Sequence, residues 1–285
     1  YASTIEEAIV IAKKREVFVS ESIFIGSAKD KKAAIIEVSP KNFGVYEVEN
    51  TRQLICSNHF QSAAYADDKK NQKHILESHS QYRFERMEEL LNENSKLNPE
   101  IAVEILRDKK GLDEKEIGYG NEKALNQLLA HHGIVFKPED LMVWVSSNPY
   151  QLGEFVAYDL KEIFSEENQI KTTTSLSKSN RNIAADSFLH SEAYVNYEKY
   201  RELYGIVTKA ISEETHLEGD LLREFEASNP EFWQVHYLIG LYNYNKGYDR
   251  VALESFSKAA TKEITTVPDK EEVERYIRKL NRRLN

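Results

Sequence analysis

The sequence predicts an α+β domain followed by an all-helical tail, and three observations carry that reading. Apolar and aromatic residues gather first in short extended runs, then at helical spacing, then in short runs again, which is the succession of an α+β domain and not of a doubly wound sheet. A polar stretch over 166–182 has no apolar periodicity and reads as a loop or linker. Beyond it the apolar spacing is helical to the end of the chain.

Taken in order, Ser3 and Thr4 with Glu6 and Glu7 form overlapping capping-box patterns for a short helix, whose apolar positions are Ile5, Ala8, Ile9 and Ala12. Four extended segments follow at 17–28, 33–38, 43–48 and 54–60, rich in Val, Ile, Phe and Tyr. The polar turns at 29–32, 39–42 and 49–52 make them an antiparallel meander. Helices are predicted over 81–94, with Phe84, Met87, Leu90 and Leu91 on one face, and over 100–107, opened by Asn98 as N-cap and Pro99 at the first helical position. A further helix is expected over 121–131, with Ala124, Leu125, Leu128 and Leu129 turned inward, and strands at 134–136, 141–146 and 155–158. The expected organisation is an α+β domain over 1–165, a polar linker over 166–190 and a helical tail over 191–285.

Within the tail, Ile239, Gly240, Gly247, Tyr248, Ala252, Phe256 and Ala259 follow the spacing of one tetratricopeptide unit, in which a small residue lets the first helix approach the second closely. His236 stands where that pattern has Trp, Asn243 where it has a large residue, and the expected proline comes late, at Pro268. An imperfect unit precedes it over 197–226. One unit cannot bury its own face, and about three make an independent array. The tail is therefore expected to be a helical hairpin packed as a buttress. A true array would instead make it a docking element for a protein partner. Phe232, Trp233, Tyr237, Tyr242 and Tyr244 read as the hairpin's core.

Bulk properties bound the function. Hydrophobic residues at 41% of 285 supply a packed core, and a net charge of −9 argues against a nucleic-acid binder, which needs a basic surface to displace phosphate counterions. Cys56 is the single cysteine, so no intrachain disulfide forms. No run approaches the roughly 18 apolar residues of a membrane span. No Walker loop, dinucleotide fingerprint or Gly-x-Ser-x-Gly elbow occurs. His131 and His132 are adjacent and His74 and His79 lack ligand spacing, so neither a metal nor a cofactor is expected.

Five phrases in order carry a resemblance over about 1–164: Ile25-Gly-Ser-Ala28, Ala33-Ala-Ile-Ile-Glu-Val-Ser-Pro40, Leu54-Ile-Cys-Ser-Asn-His-Phe60, His79-Ser-Gln-Tyr-Arg83, and Met142-Val-Trp-Val-Ser-Ser-Asn-Pro149 followed by Gly153. In these the chain resembles the acyl-CoA:6-aminopenicillanate acyltransferase family of N-terminal-nucleophile enzymes. The resemblance implies αββα layers, incomplete here, and a precursor that cleaves itself before a cysteine. That cysteine's thiol is the nucleophile, and its α-amino group, with a pKa near 8, is the base. The implied activity is acyl transfer or C–N amide hydrolysis on a small acyl amide or thioester. For an exported bacterial member the compartment would be the periplasm.

The resemblance assigns Asn58 to the oxyanion hole and His59 to the same turn, as its orienting neighbour or a catalyst. It makes Ser80 and Arg83 substrate-binding residues, the arginine suited to a substrate carboxylate. The stretch 144–148 is expected to be a core strand and its turn, with a cleft-lining role as the alternative. Tyr1 is not Cys, Ser or Thr, so the nucleophile is expected on a chain segment upstream. Cys56, placed inside a predicted strand, reads as a small buried residue and not as that nucleophile.

Overall fold

The computed structural model describes residues 1–49, 51–94, 96–165 and 175–285, so 166–174 of the polar linker lie outside the described residues. The fold is α+β with an all-helical C-terminal region, as the apolar spacing predicts. It divides into two compact units. One holds Tyr1–Ile105, His132–Ser147 and Phe155–Ile183, and the other Leu106–His131, Asn148–Glu154 and Ala184–Asn285.

In the first unit, helix α1 (Ile5–Lys13) begins where Thr4 Oγ1 accepts the Glu7 N–H at 3.2 Å. Its buried residues Ile5 and Ile9 pack on Ala34, Ile36 and Val38. Those three belong to β2 (Lys32–Ser39), the centre of a sheet ordered β1-β2-β3, with β1 (Glu21–Ser27) and β3 (Asn42–Tyr46) antiparallel on either side. Side chains alternate between the faces of a strand. Ile36 and Val38 on the α1 face therefore leave Ile35 and Glu37 on the other. Glu37 there lies opposite Ser22 of β1 and Gly44 of β3.

Helices α2 (Lys69–Glu77), α3 (Ser80–Glu93) and α4 (Pro99–Leu106) follow. Asp68 caps α2 by accepting from the Lys70 and Asn71 N–H groups, and Asn98 Oδ1 accepts from Ile101 N at 2.8 Å ahead of α4. A second antiparallel sheet is ordered β4 (Ile134–Lys137), β5 (Met142–Ser146) and β6 (Phe155–Asp159), with the short helix α5 (Leu160–Ile163) behind it. Trp144 is buried in β5 and its indole N–H donates to Arg181 O at 2.9 Å, so this stretch is core, as expected.

Two predicted elements are corrected. Residues 54–60 form no strand and 121–131 form no helix. The first segment is treated with the site below. In the second, Asn121 Oδ1 does accept a downstream N–H, that of Lys123, but Asn126 Oδ1 then takes the Leu128 N–H and Leu128 sits at φ 52°. Side-chain amides have captured the backbone groups a helix would use.

The second unit contains α6 (Glu192–Ser212), α7 (Leu221–Ser228), α8 (Trp233–Asn245), α9 (Asp249–Ala260) and α10 (Val267–Leu284). Phe232, Trp233 and Tyr242 are buried, as expected of a core cluster. Gly240 of α8 lies so near α9 that a Cβ there would stand 2.8 Å from the Phe256 ring. His236 is buried with Nε2 2.7 Å from Pro230 O, and because a carbonyl only accepts, that nitrogen carries the proton. Asn243 is satisfied within its own helix, donating to Ile239 O at 2.8 Å. Pro268 serves the first turn of α10, where a missing N–H is harmless.

The irregular segments of this unit are held by side-chain donors. The buried Arg107 guanidinium donates to the carbonyls of Gln151, Leu152, Gly153 and Ala184. Gly118, at φ +82°, places its α-carbon against the backbone of Phe232, where an added Cβ would lie 2.4 Å from Phe232 N and Cα. Replacing Gly118 by Ala is expected to destabilise the chain by about 2–5 kcal/mol, the left-handed backbone and the steric overlap acting together. A thermal or urea melt of Gly118→Ala within about 0.5 kcal/mol of wild type would contradict this packing.

A cleft built on a pinned loop

Residues 55–62 run beside the Glu37 face of the first sheet without joining it. Their backbone polar groups are taken instead by side chains. Gln61 Nε2 donates to Ile55 O at 2.8 Å. Asn71 of α2 makes a reciprocal pair with Phe60, its Oδ1 accepting the Phe60 N–H and its Nδ2 donating to Phe60 O, each at 2.9 Å. Glu37, fully buried, accepts from Gln61 N at 2.6 Å and from Ser62 N at 2.9 Å. Local bonds of this kind compete with a strand ladder and here they prevail, although the apolar pattern of 54–60 matches a strand.

The start of α3 fixes the other side of the loop. Ser80 is fully buried, with its Oγ 2.9 Å from His59 Nδ1 and 3.1 Å from Ser57 Oγ, while Ser57 Oγ donates to Ser80 O at 2.7 Å. One proton arrangement makes all three contacts hydrogen bonds: His59 Nδ1–H to Ser80 Oγ, Ser80 O–H to Ser57 Oγ, Ser57 O–H to Ser80 O. One turn further along α3, Arg83 Nη2 donates to Asn58 Oδ1 at 2.5 Å. Arginine has no acceptor, so the Asn58 amide must present its oxygen to Arg83 and its NH2 group elsewhere. Asn58 Nδ2 meets no hydrogen-bond partner among the described residues.

The four residues expected at the site are thus brought together in pairs, Asn58 with Arg83 and His59 with Ser80. Asn58 is exposed, the imidazole of His59 is buried, and Ser80 has no surface at all. A cleft of about 550 Å³ opens at Asn58, within the range of small-molecule sites. Ser20 and Ser22 of the β1 side, Cys56 of the loop, and Lys70 and His74 of α2 also line it.

Burial chiefly, then the nearby Glu37 carboxylate, pushes the Cys56 thiol up, so it stays protonated near neutral pH. Burial, then His74, holds His59 below its ordinary value, against an opposing pull from Glu37. Among the described residues no cluster of His, Cys, Asp and Glu is arranged to hold a metal ion.

Sequence reasoning missed Glu37, Gln61 and Asn71. Glu37 carried a signal, since it is the one charge within Ala33–Ser39 of an otherwise apolar strand and a buried charge needs partners. Asn71 carried none, because an asparagine in the first turn of a helix is ordinary.

A model of the family described as acyl-coenzyme A:6-aminopenicillanic acid acyl-transferase matches residues 1–148. No curated protein sequence and no solved structure matches the chain.

The His59 environment makes a pH prediction. With its folded value depressed, the unfolded chain binds more protons than the folded one as pH falls below about 6.5. The stability the neutral imidazole supports is complete above that pH and is lost as pH drops through the lowered folded value. His59→Asn keeps a donor near Ser80 but does not titrate. In melts from neutral to mildly acidic pH, wild type should lose stability relative to His59→Asn on acidification, and parallel curves would exclude His59 as the cause.

Proposed function

This chain belongs to the acyl-coenzyme A:6-aminopenicillanic acid acyl-transferase family, and on that premise we propose that it carries the oxyanion side of a cysteine-nucleophile acyltransferase or amidohydrolase site. The substrate is a small acyl amide or acyl thioester whose carbonyl enters the cleft beside Asn58. An upstream segment of the protein delivers the nucleophile.

The chemistry then runs in two halves. The thiol gives its proton to the α-amine of the same cysteine, the sulfur attacks the carbonyl carbon, and the C–O π pair moves to oxygen. Collapse expels the amine or thiol, which takes that proton, and leaves an acyl-cysteine. Water or an amine releases the acyl group by the reverse sequence. In both halves Asn58 Nδ2–H donates to the oxygen as its charge develops.

The observation that carries this reading is the pairing of Arg83 with Asn58. It occupies the amide oxygen, which would repel an oxyanion, and leaves the amide NH2 at the cleft. Ser80 and His59 act, in this reading, by supporting the loop. Ser80 is fully buried, so no substrate reaches it. The nucleophile's arrival from elsewhere is supported by Cys56, whose thiol is held protonated, and by Ser57 and Ser80, whose hydroxyls are engaged with each other. It is supported also by β1, an edge strand whose start lines the cleft and beside which Phe18 and Phe24 are exposed at 92% and 52%. An open edge flanked by bare aromatic residues is a surface suited to further β-structure.

Asn58→Ala, made in the protein that includes the nucleophile-bearing segment, is expected to lower kcat for an acyl amide or thioester by about 100- to 1,000-fold, with KM changed little. Steady-state kinetics on a panel of such substrates measures this. A loss below about threefold in kcat would remove Asn58 from the oxyanion role.

A further inference from the structure

We infer that Glu37 is a positioning residue of this site, its carboxylate clamping the backbone of Gln61 and Ser62 so that Asn58 is presented to the substrate carbonyl. The inference rests on the acyl-transfer reading above and adds to it a residue that never meets the substrate.

Four observations carry it. Glu37 is fully buried in the middle of β2, where an isolated carboxylate would be strongly disfavoured without donors. Its two oxygens are each matched to one donor: Oε1 receives Gln61 N–H at 2.6 Å and Oε2 receives Ser62 N–H at 2.9 Å. Hydrogen bonds to a charged acceptor are short and roughly twice as strong as neutral ones, so this clamp is among the firmest ties of the loop. Second, the loop is seated directly over the neighbouring strand. A Cβ on Gly44, which is paired with Glu37, would stand 3.0 Å from Ser62 Cβ.

Third, Gln61 passes the constraint back along the loop, because its own side chain donates to Ile55 O at 2.8 Å and so closes the segment that contains Asn58. Fourth, the loop is also tied to α2 and α3, through Asn71, Ser80 and Arg83, and to Ser22 of β1 through the Cys56 side chain. Glu37 is the charged, two-pronged tie to the sheet and holds the loop by its main chain. Without it the exit of the loop loses its main-chain hold on β2, and only the side-chain contact of Cys56 with Ser22 fixes its height above the β1 side of the cleft. A displacement near 1 Å at a donor can cost about 100-fold in rate.

Two substitutions test the clamp from its two ends. Glu37→Gln keeps the volume but turns an NH2 group toward one of the two backbone donors. Ser62→Pro deletes one donor and leaves Glu37 intact, at a position whose φ of −69° and ψ of 154° a proline can adopt. Both are made in the protein that includes the nucleophile-bearing segment, and kcat and KM are measured on an acyl amide or thioester, alongside amide hydrogen exchange over 55–62.

The expected result is a fall of about 10- to 100-fold in kcat with KM within about threefold. Faster exchange is expected at Gln61 in both variants, with exchange in α1 unchanged. Equal kcat and equal exchange in either folded variant would overturn the proposal while leaving the acyl-transfer reading intact. If wild type turns over no acyl substrate, that reading fails. Exchange over 55–62 then decides alone whether Glu37 clamps the loop. If one variant does not fold, the other carries the test.

Discussion

A buried carboxylate beneath an irregular loop is the constraint on which the candidate site depends. Glu37 sits in a strand whose other face is packed by α1, so it cannot turn away toward solvent without pulling β2 from its helix. Its charge must be met from above, and the donors within reach are the main-chain N–H groups of Gln61 and Ser62. Fixing those two residues fixes the exit of a segment that no strand partner steadies. The short α1 helix, the three-stranded sheet and the loop are therefore one mechanical series. Apolar burial on one face of β2 anchors the charge on the other.

The second unit solves the same problem with the opposite sign. Residues 106–131 and 148–154 are also irregular, and there the unsatisfied groups are carbonyls. A cation answers them: Arg107 reaches four main-chain oxygens, and Asn121 Nδ2 adds Ile117 O and Glu263 O. Lys115 and Lys123 converge on Glu263, whose carboxyl is held below its ordinary range by those two lysines against the opposing effect of burial. In both units, long polar side chains do for the irregular backbone what a ladder or a helix does elsewhere.

This explains which parts of the fold were legible in the sequence. The first helix, the three-stranded meander, α3 and α4 were readable because local pattern and tertiary packing agree there. Thr4 and Asn98 do cap, Ile5, Ile9 and Val103 are buried, and Phe84, Met87, Leu90 and Leu91 are half-buried on α3. Residues 54–60 and 121–131 were misread because their apolar periodicity is real while their backbone is claimed by amide side chains. Asn71 lies eleven residues from the Phe60 it pins, and Asn126 competes with the helix that Asn121 could have started. A periodicity argument counts apolar positions and is blind to such partners. Asn58, His59, Ser80 and Arg83 were reached through phrases shared with a family. Their pairing across 25 and 21 residues followed from no spacing rule.

The electrostatics of the cleft need reconciling, because a carboxylate under the proposed oxyanion site would oppose the charge that develops there in acyl transfer. Two features blunt the opposition. The negative charge of Glu37 is directed into two backbone dipoles, whose N–H ends lie between it and the loop. Arg83 donates from its guanidinium to the Asn58 amide oxygen, which polarises the amide so that its NH2 becomes a better donor. What Glu37 retains of its field acts on the thiol nearest to it. Together with burial it keeps Cys56 protonated, and a protonated thiol neither attacks a carbonyl nor competes for an acyl group. The carboxylate that pins the loop thus also adds to the effect of burial on the Cys56 thiol. In the proposed acyl transfer the attacking group is accordingly one other than the Cys56 thiol.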